Sequence, residues 1–122
     1  MFRKIVKEPP RIADLNALDP WFRQRVERVL DKMRAQGFDP VVYETLRTPE
    51  RQAWLYGIGR THSLDRKPVT WTMKSKHLVG RAADIISKSR GWDHPAFFAA
   101  LRKIAREQGL KTLNKQFCHI EG

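Results

Sequence analysis

The segment Ser75-Lys76-His77-Leu78-Val79-Gly80-Arg81-Ala82-Ala83-Asp84 sets a histidine and an aspartate seven positions apart around a glycine and an alanine. Together with His119, near the C-terminus, they read as a zinc site. Imidazole and carboxylate both suit a borderline cation, and two histidines with one carboxylate leave the fourth tetrahedral position open, which distinguishes a catalytic zinc from a structural one. One shared ion then requires the segment around residues 77–84 and the segment around 119 to meet in space, so the spacing constrains topology as well as chemistry.

The periodicity supplies elements to carry those ligands. Asp19 followed by Pro20 is an N-cap and first-turn signal, with apolar residues at Trp21, Phe22, Val26, Val29, Leu30 and Met33 before Gly37, which predicts a core helix. Val41-Val42-Tyr43 is a short β-prone run after Pro40, and Thr48-Pro49 repeats the cap-then-proline signal for a helix to about Tyr56. A loop from Gly57 to Met73 carries Arg60, Thr61, His62 and Trp71 and is expected to flank a cleft. A strand over Ala82 to Ile86 would hold Asp84, with His77 in the preceding turn, and Gly80 and Ala82 are expected to be small where the backbone passes close to metal or substrate. A helix from Pro95 to about Gln108 buries Phe97, Phe98, Leu101, Ile104 and Ala105, and a final strand from Phe117 to Glu121 supplies His119. Irregularly alternating helices and short strands fit an α+β fold, a small antiparallel sheet packed against helices.

At 122 residues the chain has the size of one domain, and 41% hydrophobic residues suffice for one modest core, so a single domain over residues 1–122 is expected. No stretch reaches the roughly 18 apolar residues of a membrane helix. The N-terminus, Met1 to Pro10, shows no apolar run before a small-residue cleavage site, so the expectation is a chain made in the cytoplasm without an export signal. Cys118 is the sole cysteine, which excludes an internal disulfide; it is read as a small residue beside His119, pointing away from it on a strand.

The net charge of +11 implies attraction to a polyanion. The basic residues are scattered, from Arg3 and Lys4 through Arg25, Lys32 and Lys76 to Lys111 and Lys115, without a dense tract or interleaved aromatics. That pattern describes a solvated surface rather than a specific nucleic-acid footprint, and carboxylated or phosphorylated cell-wall polymers would be drawn to it equally. No extended apolar stripe is left over for a dimer, so a monomer is expected.

The order S-x-H-x-x-G-x-A-x-D, followed by H-x-E at His119 to Glu121, resembles the zinc peptidases of peptidoglycan: the D-alanyl-D-alanine carboxypeptidases and dipeptidases and the L-alanyl-D-glutamate endolysins of phages. The likeness extends to Tyr43 through Gln52, Leu55-Tyr56 and Gly59-Arg60-Thr61, and so covers about residues 40 to 121. It implies the hedgehog/DD-peptidase-like α+β fold, a Zn2+ ion on His77, Asp84 and His119, and cleavage of wall peptide stems. The absence of an export signal and the small basic domain favour the endolysin type, which acts on the wall. The resemblance also implies that Arg47 binds or polarises the substrate carbonyl, that Gln52 packs or hydrogen-bonds beneath the cleft, and that Ser75 either binds substrate or caps the turn holding His77; the alternative for Arg47 is pairing with a neighbouring acid such as Glu44 or Glu50.

One position departs from the pattern. The family usually has a carboxylate three residues before the last histidine, acting as general base toward the attacking water, and here that residue is Gln116. An amide cannot take a proton at neutral pH. Glu121, two residues from His119 on the same strand face, and Glu44 are the substitutes; the alternative for Glu121 is a partner that orients a ligand. His62 and His94 are read as surface residues. The sequence thus supports a zinc metallopeptidase. A catalytically impaired zinc-containing module that binds wall peptide is the reading favoured by Gln116, and a basic nucleic-acid-binding domain is favoured by charge alone.

Overall fold

The structure, a computed structural model, describes residues 7–122; Arg3, Lys4 and most of the N-terminal segment considered for export lie outside the described residues. Helix α1 (Pro20–Ala35) begins where the cap signal predicts, with the Asp19 carboxylate accepting a hydrogen bond from the Phe22 amide at 3.0 Å. Strand β1 (Pro40–Glu44) follows, then helix α2 (Pro49–Gly57), capped by Thr48, whose hydroxyl accepts from the Arg51 amide. After a long loop come a 3₁₀ turn (Lys76–Val79), strand β2 (Ala82–Ser87), helix α3 (Pro95–Glu107), and strands β3 (Lys111–Leu113) and β4 (Gln116–Glu121).

The strands form one sheet in the order β1-β2-β4-β3, each neighbour antiparallel. Helices α1 and α3 cover one face. Phe22, Val26, Met33, Phe97, Leu101 and Ile104 pack there against Ile85 and Ile120, which alternate along their strands with Asp84 and His119. The sheet therefore divides its labour by the two-residue period: one set of side chains builds the core and the intervening set faces away from it.

Three details differ from expectation. Trp21 is 45% exposed, because its place in the first turn of α1 faces solvent, where its ring is a platform for the Arg25 and Arg81 guanidinium groups at 4.3 and 5.2 Å. β3 has no clear sequence signature, since a three-residue edge strand is too short to show alternation. Gly80 has a φ of +70°, and a Cβ there would stand 3.1 Å from the Ala17 carbonyl oxygen and 3.2 Å from the Asp19 nitrogen; the crowding comes from the approach to α1, not from the site. Among the described residues no helix is long and apolar enough to cross a membrane.

Candidate active site

Residues directly paired in an antiparallel sheet put their side chains on the same face. Asp84 of β2 is paired with His119 of β4, which is why two residues 35 positions apart meet at 3.2 Å, Oδ1 to Nδ1. A bulge in β1 between Val42 and Glu44 adds Glu44 to this row: regular pairing would set Tyr43 opposite Asp84, and the extra residue sets Glu44 there instead. His77 arrives from the 3₁₀ turn. Ser75 caps that turn by accepting from the His77 amide at 3.1 Å, and Gly80 closes it in the left-handed conformation.

His77 is fixed from two sides by the segment after β1. Its Nδ1 donates to the Thr45 carbonyl at 2.6 Å, and its own carbonyl accepts from the Arg47 amide at 2.9 Å. In the neutral ring Nε2 then carries the lone pair, aimed at Asp84 Oδ2 3.2 Å away, and this buried nitrogen has no hydrogen-bond partner among the described residues. His119 shows the complementary arrangement: Nε2 donates to Glu121 Oε1 at 2.8 Å, leaving the Nδ1 lone pair toward Asp84. Ligand atoms of His77, Asp84 and His119 lie within 4.8 Å of one another, and all three residues are buried. Lone pairs converging in a buried space repel unless a cation or a proton sits between them. The donor set of two imidazoles and a carboxylate, each imidazole held by an outer hydrogen-bond acceptor, fits a divalent metal ion.

The electrostatics agree. Burial alone would raise the Asp84 pKa, but the adjoining His119 and His77 rings outweigh it and hold it well below the usual carboxylate range. Burial opposes protonation of His119, yet its contacts with Asp84 and Glu121 outweigh that and raise its pKa. These acidic neighbours favour a proton on His119 in the space where the donor atoms converge. Burial, followed by the Asp84 charge, pushes the Cys118 thiol far up, so Cys118 remains a neutral side chain packed against the core.

The other predicted residues gather around this centre in different ways. Arg47 is buried and committed at both terminal nitrogens, to Gln52 Oε1 and Glu44 Oε1, each at 2.7 Å, with Asp84 Oδ2 at 3.6 Å. Gln52 also donates to the Thr72 carbonyl at 2.6 Å, tying α2 to the long loop beneath the cleft. Glu44, 1% exposed, is held on its two oxygens by Arg47 and Arg51. Gln116 is half-buried at the start of β4 and lines the cleft. His62 bonds to the Trp54 carbonyl and stacks on the Trp54 ring, while His94 precedes α3 and stacks on Phe97; neither is near the triad.

Above the triad opens a cleft of about 960 Å³, walled by Tyr43, Trp71, Trp92, Lys115 and Phe117. The Thr45 carbonyl and the buried Arg51, which reaches Glu44 and Glu8, are parts of the site that sequence reading missed. A backbone acceptor carries no residue signature, and an arginine in the first turns of a helix with no partner nearby in sequence reads as a surface residue.

No family model matches the sequence. Over 87 residues the chain is 31% identical to the L-alanyl-D-glutamate peptidase of a Listeria phage; the match covers 70% of this chain and 28% of the phage protein, so the chain spans little more than a quarter of that relative's length. Among solved structures, the Serratia marcescens L-Ala D-Glu endopeptidase ChiX aligns with a TM-score of 0.57 and 25% identity over 88% of this chain and 81% of its own. VanYB in complex with D-alanine-D-alanine aligns at 0.66 with 19% identity, over 85% and 70%, and a VanY structure of the VanB-type cassette contains Zn(II). The chain is thus similar in fold to these peptidases and, over the matched 87 residues, similar in sequence to the phage protein.

Proposed function

We propose that the chain is a zinc-dependent peptidase acting on the peptide stems of peptidoglycan, with the specificity of an L-alanyl-D-glutamate endopeptidase. The observation that carries this reading is the convergence of the His77 Nε2, Asp84 and His119 Nδ1 lone pairs on the floor of an open cleft. The activity borne by the names of the phage relative and ChiX supports it, as does the Zn(II) held by VanY.

In this reading His77, Asp84 and His119 hold the ion, which when bound supplies Lewis-acid polarisation of the scissile carbonyl. The Thr45 carbonyl and Glu121 hold the two imidazoles in the tautomers that present their lone pairs. Arg47, with both terminal nitrogens already engaged, contributes a fixed positive charge to the floor, and the developing oxyanion is stabilised by that charge rather than by a closing hand. Gln116 can donate to or accept from a substrate amide but cannot take its proton. Both oxygens of Glu44 are bound by arginines, whereas Glu121 spends one oxygen on orienting His119 through Nε2, which leaves Glu121 as the candidate carboxylate with an oxygen still able to accept a proton.

Gln116 is also the observation that favours a second reading, a zinc-containing module that binds wall peptide without cutting it. Purified peptidoglycan incubated with the zinc-loaded protein, and in parallel with its Gln116→Glu variant, separates the two when released peptides are identified by mass. Stem peptides cut between L-alanine and D-glutamate by the unaltered chain are the expected result. Release by the Glu variant alone would select the binding module, and release by neither, with zinc bound stoichiometrically, would overturn the peptidase reading.

A further inference from the structure

The cleft continues past the triad into a second depression of about 350 Å³, formed by Trp92, Asp93, Pro95, Phe98, Arg102 and Phe117. Trp92 and Phe117 belong to both spaces and form the sill between them. Each is 55% exposed and neither belongs to the core; Leu64 and Val79 are more exposed, but Trp92 and Phe117 line one depression together. Both are nevertheless held in place. The Trp92 ring packs edge-on to Tyr43 with centroids 5.0 Å apart, and Phe117 is part of β4 with the Arg102 guanidinium 5.3 Å from its ring. Phe117 lies two residues before His119 on β4, about 7 Å between their Cα atoms at ordinary strand spacing, and lines the same cleft.

The polar groups around these rings have spare capacity. Among the described residues the Arg102 side chain makes one hydrogen bond, to Asn114 at a long 3.4 Å, and its Nε has no hydrogen-bond partner. The Asp93 side chain is exposed at the rim. Flat apolar faces edged by a carboxylate, an amide and a guanidinium suit a ligand with two apolar faces and a polar perimeter, which is the chemistry of a pyranose ring. The guanidinium adds complementarity to a carboxyl-derived group on that ring.

We propose that the Trp92–Phe117 depression is a subsite for the amino-sugar ring to which the peptide stem is joined. The proposal rests on the peptidase reading above and sharpens it. In a wall stem L-alanine is attached directly to the lactyl group of the sugar, so a bond cut after L-alanine leaves the sugar within one residue and a short ether arm of the triad, the order of the 7 Å read along β4. A D-alanyl-D-alanine bond lies about three further residues out, roughly 10 Å more at extended spacing, and would leave this depression empty.

Two measurements on the zinc-loaded full chain test it, with metal content and a Trp92→Phe variant, which keeps an aromatic face, as controls on folding. The first is binding of the peptide-free disaccharide N-acetylglucosaminyl-N-acetylmuramic acid, by titration calorimetry or by amide shifts in NMR. Binding is expected, weakened by roughly tenfold in Trp92→Ala and in Phe117→Ala and restored in Trp92→Phe. No binding by the unaltered protein, or equal binding by both alanine variants, overturns the subsite. The second is the ratio of kcat/KM for a muramyl-linked stem to that for the same stem without sugar, expected to exceed one and to fall toward one in the alanine variants. A ratio of one in the unaltered protein overturns the subsite and leaves the peptidase reading standing. Disaccharide binding that is lost in the variants, without cleavage of either stem, supports the subsite and removes the peptidase reading.

Discussion

Nε2 of His77 is the atom on which the site turns, because it is buried, faces a carboxylate oxygen and has no proton to offer once Nδ1 has given its own to the Thr45 carbonyl. Replacing His77, Asp84 or His119 by alanine should each abolish stoichiometric zinc after dialysis, measured by atomic emission; metal retained by all three variants would sink the assignment. Without metal the same atoms make the protein sensitive to pH, and the sign differs for the two ends of the Asp84–His119 pair. His119 has its pKa raised above 6.5 by its acidic neighbours, so its contribution to stability is complete below 6.5 and is lost as pH rises through the raised value. Asp84 has its pKa lowered below 3.8, so its contribution is present above 3.8 and is lost as pH falls through the lowered value. The Tm of chelator-treated protein should therefore decline as pH is taken up from 6.5 through the His119 titration, beyond any drift seen in His119→Gln. The zinc form should move in the opposite sense over that range, because binding must displace the His119 proton and tightens as that proton becomes easier to remove. Parallel pH curves for the two forms would show that the pair carries no such linkage.

At the level of elements, each residue of the triad owes its position to a local device that can be broken separately. Gly80 allows the 3₁₀ turn carrying His77 to lie against the start of α1, where its own carbonyl accepts from the Asp19 amide at 3.0 Å. Gly80→Ala adds a side chain in the left-handed region and within 3.1 Å of a backbone oxygen, so it should cost roughly 2 kcal/mol by urea denaturation, with weakened zinc binding. A change within a few tenths of a kcal/mol would mean the turn shifts freely and does not position His77. These devices also mark how far the sequence could be read. The caps at Asp19 and Thr48 placed the starts of α1 and α2 because capping is local chemistry, and the β-prone run placed Asp84 on a strand. That His77, Asp84 and His119 come together follows the same local signature, their residue types and spacing. The β1 bulge was not legible in the sequence, because one extra residue in a ladder depends on the partner strand; it turned Glu44 from a candidate base into the centre of a buried pair of arginine bridges. Arg47 pairs with Glu44, the alternative its sequence neighbours offered beside a role at the substrate carbonyl, and which of several acids an arginine pairs with is decided by tertiary contacts.

For the whole molecule the relevant quantity is charge that reaches solvent. The buried charges cancel, Arg47 and Arg51 against Glu44 and Asp84, so the net +11 of the chain is carried by other residues, of which Arg3 and Lys4 lie outside the described part. Surface ion pairs such as Arg23–Glu27 at 3.7 Å and Arg34–Asp31 at 3.4 Å neutralise little of that excess. A field of this kind acts over about 10 Å at 0.1 M salt and about 3 Å at 1 M, whereas contacts inside the cleft are short and partly desolvated. The two should separate under salt. Co-sedimentation of the protein with purified, teichoic-acid-bearing walls should fall several-fold as salt is raised across that range, and should fall less with walls stripped of their phosphate polymers. Cleavage of a soluble stem peptide should lose much less over the same range, since its recognition depends on the metal and the cleft walls. If wall association proves insensitive to salt while DNA binding falls steeply, the excess charge serves a nucleic acid, and the attraction to anionic wall polymers would be withdrawn.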